Sequence, residues 1–284
     1  MKFFDFRLRP PVRGFLDMIL FANHDRRDYR TRMHGFEPAP SASQHSLDLL
    51  FEEMDAGGVA MGLVVGRESK LFGSISNDDV ASIVADYPDR FVGAASVEPD
   101  SPEEAIDKIS AAAKNGFKAV NLEPASYATP MKADDARMYP IYAHCEKMGL
   151  PAIIMAGGSA GDDLSYTEPR HLDRMAADFP DFKIVVSHGG WPWVHQMLHI
   201  GYRRPNVYLS PDQYLAKMPG HREYVEAADG FLSDRFLFGS SYPYTPVKEY
   251  ADWYRSLPIG EENMRRTAYE NAAELLGLDT KIFE

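Results

Sequence analysis

Arg7 and Arg9 stand two residues apart at the end of the apolar run Phe3–Leu8. If that run is a strand, alternate residues share a face and both guanidiniums point the same way. A guanidinium stays charged in a protein, offers no lone pair to a metal, and matches a carboxylate or phosphate with two parallel N–H groups. Such a pair needs an anion. The fold can supply one from Glu123, Asp5 or Asp212, giving a buried ion-pair network, or a ligand can.

Other candidates also sit where short apolar runs end. His188, in Ser187-His-Gly-Gly190, has the residue type suited to proton transfer near neutral pH, or it is a turn histidine bonded to its neighbours. Glu123 follows Asn121 and Leu122, and reads either as a proton-transfer carboxylate or as the partner of the two arginines. Ser241 lies three residues past the last such run and is followed by Tyr242-Pro-Tyr244. No motif makes Ser241 a nucleophile, so it reads as a hydrogen-bonding turn residue. The basic stretch 24–34, with Arg26, Arg27, Arg30, Arg32 and His34, is either a lid that recruits an anion or a solvated loop. His144, His171, His195, His199 and His221 fall on helical patterns or outer loops, and the pair Trp191 and Trp193 reads as packing.

The elements that must position these residues alternate. Eight short runs rich in Val, Ile, Leu and Phe predict strands buried on both faces: 3–8, 61–65, 91–95, 119–122, 152–154, 183–186, 207–209 and 236–238. Helical patterns lie between them, such as 102–115 with Ser101 as cap and Gly116 as stop. Parallel neighbours need crossovers, and eight strand–helix units close a barrel of about 250 residues. The chain therefore reads as α/β, a single (β/α)8 TIM barrel over residues 1–284, with a long loop (10–45) after strand 1. An open doubly wound sheet would want a glycine-rich turn after the first strand, and there is none. Loops 10–45, 123–136 and 156–168 all follow strands, on the face where barrels carry their sites.

Composition narrows the class. Hydrophobic residues make up 45% and charged residues 25% of the 284, a globular mix. The net charge of −12 is scattered, so nucleic acid is not an expected partner. The single cysteine, Cys145, lies in a helical pattern, reads as a core residue and implies a reducing compartment. No run approaches about 18 apolar residues and the first residues lack a signal-peptide pattern, so no membrane partner and a cytoplasmic location are expected.

Several motifs in order carry a resemblance: Met1-Lys-Phe-Phe-Asp-Phe6, Glu53-Met-Asp-Ala-Gly-Gly-Val59, Tyr87-Pro-Asp-Arg-Phe-Val-Gly93, Gly116-Phe-Lys-Ala-Val-Asn-Leu122, Ser187-His-Gly-Gly190, Phe238-Gly-Ser-Ser-Tyr-Pro243 and Glu270-Asn-Ala-Ala-Glu-Leu-Leu276. Together they resemble the amidohydrolase-related family often called amidohydrolase 2, which holds decarboxylases, lactonases and hydratases. The resemblance implies metal-ligand positions at Arg7, Arg9, Met155, His188 and Ser241, and only His188 keeps a usual ligand. The expectation is thus no metal residues and no cofactor, with a divalent metal such as zinc disfavoured. It implies a metal-independent hydrolase or carboxy-lyase: lactone or ester hydrolysis, or decarboxylation, of a small anionic, carboxylated substrate. In that reading Arg7 and Arg9 hold the anion, Asn121, Met155, Ser241 and Tyr242 complete the expected substrate-binding set, and His188 with Glu123 is catalytic. The alternatives are a non-catalytic member that binds an anion, or a metallohydrolase whose site is rebuilt from His188, His34 and Glu123. Family members also suggest a homodimer.

Overall fold

The computed structural model describes residues 1–284. Seven parallel strands follow one another in sequence order: β1 (Phe3–Leu8), β2 (Val59–Val65), β3 (Phe91–Ser96), β4 (Ala119–Leu122), β5 (Ala152–Met155), β6 (Ile184–Ser187) and β7 (Val207–Ser210). Nearly every strand residue is buried. That is the consequence of covering both faces of a parallel sheet, and it is why these strands read as unbroken apolar runs. Outer helices supply the cover. Leu50 and Met54 on Leu47–Gly57, Ile109 on Pro102–Lys114, and Met175 on Pro169–Asp178 join the strands in one continuous core. Cys145 belongs to that core, and burial pushes its thiol up to about 12. No helix is long and apolar enough to cross a membrane.

The eighth expected strand is not one. Segment 236–238 runs beside β7, where Leu237 N–H donates to Leu209 O and Leu209 N–H to Arg235 O, leaving a single isolated parallel bridge. On its other side Phe6 N–H of β1 donates to Phe238 O, but Phe238 N–H turns away to Thr267 O. The ladder is interrupted because the C-terminal helical region takes one of its donors. Asn271, in the same region, donates from its side chain to Ser233 O and Phe236 O, both at 2.8 Å. The seven-stranded curled sheet is thus bridged from β7 back to β1 by an irregular, side-chain-braced segment.

The long loop expected after the first strand is mostly helical. It contains a 3-10 turn at Arg13–Asp17 and helices at Ile19–Ala22, His24–Met33 and Pro40–Gln44. Helix His24–Met33 is polar all round, so no apolar stripe announces it. Asn23 caps it by accepting from Arg26 N–H, and Arg27 anchors it: the guanidinium is buried and donates to Ala42 O at 2.9 Å and Asp28 Oδ1 at 2.8 Å. Arg27 is therefore structural, neither a solvated cation nor part of a lid.

Replacing Asn271 with alanine strands two buried carbonyls and should destabilise the fold by about 2 kcal/mol, read as a lowered urea midpoint. A midpoint unchanged from the parent would show that this brace does not hold the closing segment.

Candidate functional site

The C-terminal ends of the strands bring together residues far apart in sequence. Arg7 (β1), Arg67 (just past β2), Asn121 and Glu123 (β4 and its end) meet at one atom, Glu123 Oε1. Arg7 Nη2 lies 3.2 Å from it, Arg67 Nη2 2.9 Å and Nε 3.0 Å, and Asn121 Nδ2 3.1 Å. Asn121 also donates to Gly66 O, fixing its own amide. Burial alone would push the Glu123 carboxyl up, but Arg67, Arg7 and the Asn121 bond outweigh it and hold it at about 2. Glu123 therefore sits as the ionised partner of Arg7 and Arg67. Both guanidiniums also touch the Met155 sulfur, at 3.8 and 3.9 Å.

Arg9 is different. It is buried, yet it forms no ion pair; its Nη1 has only Ser241 Oγ and Tyr242 O, both at 3.4 Å, near the limit of a useful hydrogen bond. Its Nε has no partner. Burial and the nearby Arg7 and Arg67 charges push the Arg9 pKa well below its usual value, which marks a cation short of counter-charge. Tyr242 enters the site only through its backbone carbonyl. Its hydroxyl faces away and bonds Ser41 Oγ, which in turn meets Glu53.

His188 follows β6, and Asp212 follows β7. His188 Nδ1 lies 3.0 and 2.9 Å from the two Asp212 oxygens, and the His188 backbone N–H donates to Oδ2. This contact places the ring proton on Nδ1 and leaves Nε2 as the free nitrogen on the cavity side. Burial pushes the His188 pKa down, partly offset by Asp212, so the imidazole is neutral at neutral pH when no ligand is present. His188, Asp212 and Ser241 all have left-handed backbones, with φ of 64°, 46° and 59°. Three such non-glycine residues around one cavity are strained positions that the scaffold must hold in place. Buried tyrosines do so: Tyr224 OH donates to Gly189 O and Tyr250 OH to Asp212 O.

Between these groups lies a cavity of about 20 Å³, lined by Arg9, Arg30, Arg67, His188, Gln213, Tyr214, Ser241 and Tyr244, with Phe72, Met155, Ser159 and Ala160 on one side. It holds about one water. The loop after β5 presses tightly here, since a Cβ on Gly157 would come within 2.3 Å of Trp191 O. Arg67, Asp212 and Arg30 are the members the sequence reading missed or placed otherwise. Arg67 stands directly after a strand in Gly66-Arg-Glu-Ser-Lys70, the one usable signal. His34 packs edge-on to Tyr214, and Glu123 is taken up by arginines, so His34, His188 and Glu123 do not form a ligand group; no cluster of three or more His, Cys, Asp or Glu could hold a metal.

A parallel α/β sheet curled around a polar mouth defines a barrel-type enzyme scaffold. Residues 5–278 match the family described as amidohydrolase, and the chain belongs to that family. It is 49% identical to an uncharacterized TIM-barrel protein from Bordetella bronchiseptica, with a TM-score of 0.95 over 98% of this chain and 99% of that one. It is 22% identical to the gamma-resorcylate decarboxylase of Polaromonas sp. over 72% of this chain and 76% of the relative. The crystal structure of a dihydroxybenzoic acid decarboxylase from Polaromonas sp., solved with bound manganese and the inhibitor 2-nitroresorcinol, shares the fold at 17% identity, with a TM-score of 0.70 over 97% of each chain. These characterised relatives are carboxy-lyases, and none of them is a lactonase.

That last structure corrects one expectation. The sequence reading expected no cofactor and disfavoured a divalent metal such as zinc, whereas the solved relative holds manganese. The side chains this chain gathers at the mouth do not fit such an ion. Arg7 and Arg9 offer no lone pair, Met155 offers a soft thioether, and His188 Nδ1 is engaged by Asp212.

Replacing Glu123 with glutamine leaves Arg7 and Arg67 buried without counter-charge and should cost about 3 kcal/mol. The folded-state pKa lies below the ordinary 4.5, so this stabilisation is complete above pH 4.5 and is lost as pH falls toward 2. The parent should lose stability across that window and the variant should show a flatter profile; parallel profiles in chemical denaturation would refute the assignment.

Proposed function

We propose that this protein is a carboxy-lyase that removes CO2 from a small carboxylated aromatic acid. The observation that carries the reading is Arg9, a buried guanidinium without an acidic partner, facing a cavity that also receives the free nitrogen of an Asp212-oriented His188. The naming of the characterised relatives as decarboxylases supports the reaction class.

The chemistry follows from charge and proton placement. Burial chiefly, with the Arg7 and Arg9 charges, holds the imidazole neutral; a bound anion beside it favours the charged form, so His188 takes a proton from solvent as the substrate binds. His188 Nε2 delivers that proton to the ring carbon bearing the carboxylate. A π pair of the ring forms the new carbon–hydrogen bond; the carbon–carbon bond then breaks, its electron pair restores the ring's π system, and CO2 departs as a neutral molecule. The imidazole is left neutral again. Arg9 and Arg67 stabilise negative charge that remains on the substrate, and Glu123 fixes the Arg7 and Arg67 forks in place. Asn121 holds Glu123, Met155 forms an apolar wall against both guanidiniums, and Ser241 sets the direction of Arg9.

Incubation with a panel of hydroxy-substituted aromatic mono- and dicarboxylic acids, 2,6-dihydroxybenzoate among them, should release CO2 and the decarboxylated phenol from at least one. Arg9→Met and His188→Asn should each lower kcat/KM at least about 100-fold, the scale set by loss of a general acid or a charge-stabilising donor. Because burial lowers the His188 pKa, kcat/KM should fall as pH rises, with a midpoint below the ordinary imidazole value of 6.5, and His188→Asn should abolish that limb. Full activity in Arg9→Met, or no CO2 from any such acid, would sink this reading.

A further inference from the structure

The cavity wall carries three guanidiniums, those of Arg9, Arg30 and Arg67, and no carboxylate. Arg67 shares its charge with Glu123, but neither Arg9 nor Arg30 has an acidic partner. Arg30 projects from helix His24–Met33 across the mouth. Its Nη2 donates to Ser159 Oγ at 3.1 Å in the loop after β5, and its guanidinium lies 5.7 Å from the Tyr244 ring centre. It thus bridges two segments at the cavity wall, where its guanidinium can meet an anion bound beside Arg9.

The reaction class constrains what these cations are for. A carboxylate that leaves as CO2 loses its charge on the way to the transition state. Cations gripping it would stabilise the ground state more than the transition state and slow the step. Cations assist only where charge persists or grows. The structure also offers the departing group a side with no unpaired cation: a small cluster of Phe72, Ala125, Met155 and Ala160, where the guanidiniums against Met155 and Phe72 are those of Arg7 and Arg67, already paired with Glu123.

Resting on the carboxy-lyase reading above, we propose that the substrate carries a second acidic group, that Arg9 and Arg30 hold it, and that Arg30 is the residue that selects dianions over monoanions. The departing carboxylate lies against the Phe72–Ala160 side, and Arg30 closes over the retained anion from above. Its contribution is to binding, so its loss raises KM for a dianionic acid while leaving kcat within about threefold.

The test is equilibrium binding by calorimetry, which needs no turnover and so is independent of the CO2 assay. Isophthalate, a ring with two carboxylates, is compared with benzoate. The parent should bind isophthalate at least tenfold more tightly. Arg30→Gln should erase that preference by weakening isophthalate alone, with benzoate changed less than twofold. Ser159→Ala, which removes the resting contact and leaves the guanidinium, should keep the preference. Equal affinities in the parent, an Arg30→Gln variant that weakens both acids alike, or no binding of either acid would each overturn the proposal. Dianion selection without CO2 release would leave this assignment standing and remove the carboxy-lyase reading.

Discussion

A single oxygen atom organises the mouth of this barrel. Glu123 Oε1 accepts from Arg7, Arg67 and Asn121 at once, tying the ends of β1, β2 and β4 into one rigid edge. Two guanidiniums this close and this buried would repel strongly at low dielectric without a charge between them. Glu123 spends that oxygen on Arg7 and Arg67, and neither of its oxygens bonds Arg9, whose partners are the neutral Ser241 Oγ and Tyr242 O. The charge left uncompensated there gives the cavity its sign.

The second device is mechanical. His188, Asp212 and Ser241 each sit in a backbone region that costs an ordinary residue about 1–2 kcal/mol, and each lies on a turn directly after a strand or strand-like segment. Hydroxyls of Tyr224 and Tyr250, buried behind the site, hold two of those turns by their carbonyls. The imidazole is thus aimed by the carboxylate of Asp212, and Asp212 is in turn held by a tyrosine, so its direction is set by the packed shell rather than by a free loop.

Much of this scaffold was legible in the residues. The first strand was read with the bounds it has, and the other six within about two residues, because strands covered on both faces become unbroken runs of Val, Ile, Leu and Phe. Segment 236–238 has the same composition but not the same bonding; the diversion of Phe238 N–H to Thr267 is a tertiary event that no local pattern announces. Helix His24–Met33 was hidden for the opposite reason, since its hold on the fold is the buried Arg27 rather than an apolar stripe. At the site, Arg7, Arg9, Glu123 and His188 were visible as polar residues ending apolar runs. Arg67 was lost among polar neighbours, and Asp212, one of the partners weighed for Arg7 and Arg9, turned out to serve His188 instead. The cofactor expectation failed because donor chemistry in one chain says nothing of what its relatives hold.

The bridge between β7 and β1 has a consequence for biosynthesis. On its outer edge β1 leaves Phe6 N–H unpaired until residues 236–238 have been made, and the braces from Thr267 and Asn271 arrive later still. A nascent chain emerging from the ribosome therefore carries an open strand edge until the segment after β7 has been made, the kind of edge that pairs with other chains. Maturation of the mouth waits on Thr267 and Asn271, which are made after every strand of the sheet.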